Sequence, residues 1–308
     1  VCQPQAIRTG GTAVTVTVAN SNSTVAQLLK SGASGQSLNL QIQPGQSGTP
    51  YGVANGGFEF DPIGAGSTTV NASAPGYTSA PNGGSATINV TAPSFQFDTY
   101  SVGAPYVGAG LVARGRPGYS PSYTVSLGAS DHGGVTVKLK SSNPSVLKLS
   151  IAHLDSVGRD SILVPLSDGQ TQVQYFVHGM ENRTGTASIV VSAPGFTDAS
   201  IEGTVVPRLL AMSGVPGTTT TFSASSPFHV YLAPACSSRP TEVCDAEQPI
   251  RPGGTPVTVM VTNSHNAVAQ LLKPGASGQS LSLQIPVGSG GTGYGVADGG
   301  FDFDPLGA

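Results

Sequence analysis

The sequence predicts an all-β protein built from tandem β-sandwiches, and three observations support this fold class. The stretch Tyr51–Ala65 returns with only three changes as Tyr294–Ala308, at an offset of 294 − 51 = 243 residues. A fixed internal period is typical of repeat architectures. Gly (42 residues) and Pro (24 residues) are abundant, and they separate short segments rich in Val, Thr and Ser. Such a composition favours strands and turns over helices.

The period is also visible in one strand that recurs in every repeat. Val14–Val18 alternates apolar and polar residues, which places its three valines on one face of a strand. Val135–Leu139 has the same pattern 135 − 14 = 121 residues later, and Val257–Val261 follows after another 257 − 135 = 122 residues. We therefore expect an elementary period of about 121 residues, with the 243-residue period joining two alternating unit types.

Further segments of strand-like composition fill each period, and Gly, Pro and Asn clusters separate them. In chain order these segments are Val25–Leu29, Leu38–Ile42, Gly57–Phe60, Ser67–Ala72, Ser85–Thr91, Tyr123–Leu127, Ser161–Leu166, Gln172–Val177, Thr186–Ser192, Ile201–Val206 and Phe228–Leu232. Several short strands per unit, with turn signals every ~8–12 residues, are typical of a β-sandwich.

The period divides the chain into three predicted units. They are residues 1–94, residues 95–206 and residues 207–308. A strand precedes the matched region in the second unit (Tyr123–Leu127) and in the third (Phe228–Leu232), whereas the first unit has no such strand. The third unit ends before the counterparts of Ser67–Thr91. We therefore expect both end units to be truncated, as in a window cut from a longer tandem array.

The three cysteines follow the same period. Cys2 aligns with Cys244 once one inserted residue is allowed, and Cys236 lies 244 − 236 = 8 residues before Cys244. We predict a short-range disulfide between Cys236 and Cys244. The partner of Cys2 is expected outside this stretch or in a neighbouring chain, so the repeat explains the odd cysteine better than a reactive thiol does.

Three stretches of the chain resemble a known class of repeat. VTVKLKSSNPSVLKLS (135–150), GTASIVVSAPGFTDA (185–199) and GGFEFDPIGAGSTTVNASAPGYTSA (56–80) are similar to the bacterial Ig-like tandem repeats of large cell-surface and extracellular proteins. The resemblance extends over nearly the whole chain. It implies Greek-key Ig-like sandwiches strung end to end, an extracellular location at the bacterial cell surface, and no catalytic residues.

Acidic side chains near a Gly-rich turn offer the only candidates for a metal site. Asp298, Asp302 and Asp304 recur in the first repeat as Asn55, Glu59 and Asp61. Carboxylate oxygens are ligands of Ca²⁺, so Asp61, Asp298, Asp302 and Asp304 are calcium candidates. The alternative, which we favour, makes the Asp-Pro pairs turn formers and leaves the other carboxylates on an exposed strand face. No other cofactor is predicted.

The sequence shows no pattern that indicates an enzyme. The five histidines are scattered without zinc-ligand spacing, and no GxSxG motif occurs among the glycines. The net charge of −3 argues against a nucleic-acid partner, and the lack of an 18-residue apolar run argues against membrane insertion of this stretch. Phe58 and Phe60, which recur as Phe301 and Phe303, are interpreted as core, with a carbohydrate-stacking face as the alternative.

These observations predict a non-enzymatic structural protein that forms an extracellular stalk, fibre or surface filament. Its partners are then neighbouring repeats or copies of itself, and Ala92–Tyr106 and Val206–Thr218 are predicted to link the units. One alternative is an adhesin or carbohydrate-binding array whose loops bind glycans or a surface ligand. In the other, subunits polymerise by donating strands between chains, because the first unit lacks a strand before Val14.

Overall fold

A computed structural model describes residues 4–113, 122–244 and 246–306 of the chain. Nearly all regular structure in these residues is β-strand, with one four-residue α-helix and two short 3₁₀ turns besides. The predicted all-β fold class is confirmed. The chain divides into two compact units, one extending to Pro93 and the other running from Ser94 onwards.

The first compact unit contains seven strands within its described residues. They are β1 (Val14–Asn20), β2 (Ala26–Lys30), β3 (Ala33–Gly35), β4 (Ser37–Ile42), β5 (Glu59–Pro62), β6 (Gly66–Ser73) and β7 (Ser85–Val90), with a 3₁₀ turn at Val53–Asn55. One sheet has the order β4-β1-β6-β7 and the other the order β3-β2-β5. All pairs are antiparallel, with Val16 opposite Leu40 and Leu28 opposite Phe60.

The second compact unit begins with the elements of the second repeat. They are β8 (Phe95–Phe97), α1 (Thr99–Val102), β9 (Tyr106–Gly108), β10 (Val112–Ala113), β11 (Tyr123–Leu127), β12 (Val135–Ser141), β13 (Leu147–Ser150), β14 (Ser161–Leu166), β15 (Gln172–Gly179), β16 (Gly185–Ser192) and β17 (Ala199–Val206). One sheet has the strand order β10-β15-β11-β8, and β13 also pairs with β15 in it. The other sheet has the order β14-β12-β16-β17-β9. Alternate residues such as Leu139, Leu149 and Ile189 are fully buried in one core cluster.

The third repeat continues the second compact unit. Its strands are β18 (Arg208–Ser213), β19 (Ser226–Pro234), β20 (Val257–Thr262), β21 (Ala269–Lys273), β22 (Ala276–Gly278), β23 (Ser280–Ile285) and β24 (Phe301–Pro305), with a 3₁₀ turn at Val296–Asp298. One sheet has the order β18-β19-β24-β21-β22, and β20 pairs with β23. Thus β1, β12 and β20 are corresponding strands, as the sequence period predicts.

The first and third repeats differ in the strands that surround these shared elements. In the third repeat β19 pairs with β24, and in the second β11 pairs with β15. Strand β5 of the first repeat, which corresponds to β24, pairs only with β2 within the described residues. Conversely, β1 pairs with both β4 and β6, whereas its counterpart β20 pairs only with β23 in the part of the chain that is described.

The segments predicted as linkers are largely structured. Strand β18 lies inside Val206–Thr218 and pairs with β19, while β8 and α1 lie inside Ala92–Tyr106. The linker prediction was wrong for Val206–Thr218, because a short segment without clear alternation can still find a strand partner elsewhere. The boundary between the two compact units does lie inside Ala92–Tyr106. The predicted division at residues 206/207 falls inside the second compact unit, and the three-unit division stays a prediction.

Candidate functional site

The second and third repeats meet at a joint formed by residues 248–251 on one side and residues 106–112 with Glu181 on the other. Gln248 is buried and provides the first contact. Its Oε1 accepts a hydrogen bond from the Gly108 amide at 2.9 Å, and its Nε2 donates to the Tyr106 carbonyl at 3.2 Å. Because both ends of the amide bond to backbone, Gln248 extends strand β9 as another strand would.

The backbone beyond Gln248 runs between the two repeats. The Val112 amide donates to the Pro249 carbonyl at 2.9 Å, and the Arg251 amide donates to the Gly110 carbonyl at 3.1 Å. Ile250 bridges to Leu111, and both side chains are fully buried. The joint is therefore a short β-ladder around an apolar contact, which fixes both the distance and the direction between the repeats.

An ion pair between buried Arg251 and partly buried Glu181 closes the joint. Arg251 is only 7% exposed, and its Nε donates to Glu181 Oε2 at 3.0 Å while Nη2 donates to the same oxygen. Its Nη1 donates to the Pro252 carbonyl at 3.3 Å. Glu181 Oε1 is buried and has no hydrogen-bond partner among the described residues. Such a pair depends on both partners, because removing one leaves a desolvated charge.

A disulfide supports the joint from the third repeat. Cys236 and Cys244 are bonded, as the repeat argument predicts, and the Cys236 amide donates to the Glu242 carbonyl at 2.8 Å within the same hairpin. The Tyr106 hydroxyl of the second repeat donates to the Ala235 carbonyl next to this hairpin. The disulfide therefore holds an acceptor for the neighbouring repeat in place. Cys2, whose partner is predicted outside this stretch, lies outside the described residues.

Behind the ion pair lies a buried histidine. His178 is completely buried, and its Nε2 lies 2.7 Å from Ser150 Oγ. A methyl group at Gly158 would come within 2.8 Å of the ring, so glycine leaves the space that the imidazole occupies. Burial lowers the pKa of His178 to about 4, with the charge of Arg251 and the imidazole of His153 as smaller causes. His178 is therefore neutral at pH 7.

We expect the free energy of unfolding of the second compact unit to fall as the pH drops from about 6.5 to about 4. The unfolded chain protonates its histidine near pH 6.5 while folded His178 stays neutral, so the unfolded state binds the proton first. The stability that neutral, buried His178 contributes is fully present above pH 6.5. By pH 4 the free energy of unfolding has fallen by at most about 3 kcal/mol, because the unfolded chain has gained the proton. Urea unfolding at several pH values measures this loss. A His178→Gln variant should flatten that part of the profile, and an unchanged profile would contradict the assignment.

The structure places the calcium candidates in local hydrogen bonds. Asp302 Oδ1 accepts from the Val296 amide at 2.9 Å and its Oδ2 from Ser225 Oγ at 3.1 Å. Asp61 and Asp304 each accept from a glutamine on the neighbouring strand at 2.7 Å. Asp298 is exposed at the end of its 3₁₀ turn. Within residues 4–113, 122–244 and 246–306, no three acidic, His or Cys side chains converge on one point.

The paired phenylalanines behave differently in the two repeats. Phe301 is fully buried and stacks on Phe228 with ring centroids 5.6 Å apart. Phe303 is partly buried against the same core cluster. Their counterparts Phe58 and Phe60 are each only partly buried. In the third repeat the pair is core, as we favoured, and in the first repeat the same rings keep accessible surface.

Sequence reasoning did not find the joint, although the sequence carries a signal for it. Gln248-Pro-Ile-Arg251 is followed by Pro-Gly-Gly, and Gln5-Ala-Ile-Arg8 is followed by Thr-Gly-Gly at the same 243-residue offset. The short recurring motif marks the start of the matched region in both repeats.

No helix in the described residues is long and apolar enough to cross a membrane.

Comparisons with known proteins add little to this chain's own geometry. No protein-family model matches the chain, and no curated protein matches its sequence. The S-layer protein SbsC is similar over 91% of this chain at 14% identity and a TM-score of 0.25, and domains 5–6 of that protein match 70% of this chain at the same identity and TM-score. Escherichia coli alpha-2-macroglobulin matches 95% of this chain at 11% identity and a TM-score of 0.21. The chain spans 29% of the longer S-layer chain, and similarity at this level supports no inference.

Proposed function

We propose that this chain is part of an extracellular structural repeat protein at the bacterial cell surface, which forms a stalk, fibre or surface filament of Ig-like sandwiches. The observation that carries the proposal is the joint between the second and third repeats. A short β-ladder, the buried contact between Ile250 and Leu111, and the ion pair of buried Arg251 with partly buried Glu181 hold the two repeats in one orientation. Repeats that are joined rigidly add their lengths along one direction, which is what a stalk requires.

The rest of the chain is consistent with this proposal. The disulfide between Cys236 and Cys244 suits an oxidising exterior. Charged residues make up only 9% of the chain, so charge repulsion between neighbouring repeats is small. We propose that the protein acts mechanically, without catalysis and without a cofactor.

Electron microscopy of intact source cells tests the proposed role. Antibodies against the 308-residue chain, labelled with gold, are expected to bind extended structures outside the cell boundary without permeabilisation. Antibodies against a cytoplasmic protein, used on the same cells, provide the control for intactness. Labelling that appears only after permeabilisation would overturn the extracellular proposal.

A binding role is the second candidate, because several aromatic rings are exposed in the second compact unit. Tyr100 and Phe222 are almost fully exposed, and exposed rings of this kind can stack on sugars. An adhesin of this type would bind glycans through loop residues rather than through the joint. A glycan array probed with the whole chain tests this candidate, with a Tyr100→Ala, Phe222→Ala double variant as the control. Binding that the double variant retains, or no binding at all, would count against it.

A further inference from the structure

The hairpin loop between β6 and β7 is longer than its counterpart in the second repeat. Residues 74–84 join β6 to β7, whereas residues 193–198 join the corresponding strands β16 and β17. Both loops begin with Ala-Pro-Gly, an aromatic residue and threonine, so the additional residues lie in the second half of the longer loop. This half contains the sequence Asn82-Gly83, which the loop of the second repeat lacks.

An asparagine that is followed by glycine is prone to deamidation. The main-chain nitrogen of the glycine can attack the side-chain carbonyl carbon of the asparagine, and the missing Cβ of glycine leaves this nitrogen accessible. The chain contains two such pairs, Asn55-Gly56 and Asn82-Gly83. Both asparagines are exposed, and a Cβ added to either glycine would meet no atom within 4 Å. Exposure and space therefore do not separate the two pairs.

Hydrogen bonds protect the first pair. The Gly56 amide donates to the Val53 carbonyl at 3.0 Å, and Asn55 Nδ2 donates to the Tyr51 carbonyl at 3.0 Å. The attacking nitrogen and the leaving amide nitrogen are therefore both held. Asn55 is also the last residue of a 3₁₀ turn, which fixes the backbone between them. Attack requires these bonds to break first, and each of them makes the reactive arrangement rarer.

Neither reacting group is held in the second pair. Within the residues that the structure describes, the Gly83 amide and the Asn82 side chain make no hydrogen bond. The turn around them is closed by the Gly84 amide, which donates to the Ala80 carbonyl at 3.1 Å, and by the Ala72 amide, which donates to the Gly84 carbonyl at 2.9 Å. The turn therefore keeps Asn82 exposed while the attacking nitrogen stays free.

We propose that Asn82 is a modification site at which the chain deamidates spontaneously. The Gly83 nitrogen loses its proton to water and forms a bond to Asn82 Cγ, and the bond from Cγ to Nδ2 breaks. Nδ2 takes up a proton and leaves as ammonia, so that a cyclic succinimide remains. Attack of water at Cγ then opens the ring to aspartate, and attack at the main-chain carbonyl carbon of residue 82 opens it to isoaspartate. The reaction exchanges an amino group for a hydroxyl, consumes only water and involves no oxidation or reduction.

The product changes the loop in two ways. Each conversion adds one negative charge to a chain whose net charge is −3. Isoaspartate also inserts one carbon atom into the main chain, inside the turn that the bond from Gly84 to Ala80 closes. This inference goes beyond the proposed function, because the reaction needs only the loop and water. In a structural protein that persists outside the cell, the modified fraction would rise with the age of the molecule.

Incubation of the 308-residue chain in mildly alkaline buffer, followed by peptide mass spectrometry over time, tests the inference. The peptide that contains residue 82 should gain the mass difference between a hydroxyl and an amino group. Fragmentation by electron transfer should find both aspartate and isoaspartate at this position. Conversion should be about tenfold faster at residue 82 than at residue 55, where two hydrogen bonds must break first. No conversion at residue 82, or equal rates at the two residues, would overturn the inference.

The same experiment on the chain unfolded in urea separates structure from sequence as the cause. Both pairs then lack the hydrogen bonds of the folded state, so the two rates should approach each other. Conversion at residue 55 should account for most of this change, because its protection is lost. A difference that persists unchanged in urea would assign the rates to the neighbouring residues in sequence and would overturn the structural argument.

Two variants of the folded chain test the two pairs separately. Glu59→Ala removes the carboxylate that accepts from the Val53 amide at 2.9 Å in the 3₁₀ turn, so conversion should become faster at residue 55 and stay the same at residue 82. Asn82→Gln keeps an exposed amide in the loop but requires a larger ring, so conversion there should stop while the rate at residue 55 is unchanged. Hydrogen exchange at the Gly56 amide shows whether the turn has opened in Glu59→Ala. An open turn without faster conversion at residue 55 would overturn this account of protection.

Discussion

Replacing Arg251 by methionine is expected to lower the free energy of unfolding of the second compact unit by about 3 kcal/mol. The change removes both hydrogen bonds to Glu181 Oε2 and leaves a carboxylate whose other oxygen is already buried without a partner among the described residues. Urea unfolding, with hydrogen exchange at residues 106–112 as the local probe, measures the loss. Exchange in the joint should rise more than exchange in the distant β12.

The internal repeat supplies a matched control for this variant. Arg8 occupies the same position in the first repeat and is exposed, so Arg8→Met should change stability by no more than about 0.5 kcal/mol. A double variant, Arg251→Met with Glu181→Leu, should recover part of the loss because no charge remains buried alone. Equal effects of Arg251→Met and Arg8→Met would contradict the account of the joint.

Replacing Phe301 by alanine is expected to cost about 3–5 kcal/mol in the second compact unit. The ring is fully buried and stacks on Phe228, so the change leaves a cavity between β19 and β24. The loss combines the transfer free energy of the ring with the cavity that remains. Urea unfolding measures the total, and exchange at the β19 amides shows whether that strand loosens first.

Phe58→Ala is the control for the third-repeat variant. The two positions share their sequence context, but Phe58 is only partly buried, so the cost in the first compact unit should stay near about 1 kcal/mol. A cost for Phe58→Ala as large as that for Phe301→Ala would mean that β19 is not what buries this position.

The sequence predicted the period, the all-β class and most of the strands, because these depend on local alternation and self-similarity. It also led to the disulfide, since the repeat gives Cys244 a counterpart in Cys2 and leaves Cys236 as the near neighbour. These features are encoded within short stretches of chain. They can be read without knowing which strands pair.

The features that sequence missed depend on distant partners. Strand β18 lies in a segment for which the sequence predicts a linker, because its pairing with β19 is not encoded in its own residues. Phe58 and Phe301 have nearly the same neighbours in sequence, yet only one is buried, because burial is decided by a strand about 70 residues away from Phe301. The joint was missed for the same reason: Arg251 and Glu181 come from different repeats.

Two of the hydrogen bonds across the joint have main-chain groups on both sides, so they do not depend on which side chains the repeats carry. Mutation of a side chain leaves the backbone bonds of Val112 and Arg251 in place. The exceptions are Gly108 and Gly110, where an added methyl group would come within 2.6 Å of the Leu111 and Arg208 side chains. Outer faces of the repeats are thus free to change in sequence while the angle between repeats is inherited. At the joint, the lack of space for a side chain at Gly108 and Gly110 restricts substitution. The exposed surfaces of the repeats can therefore change while the way the repeats are connected stays the same.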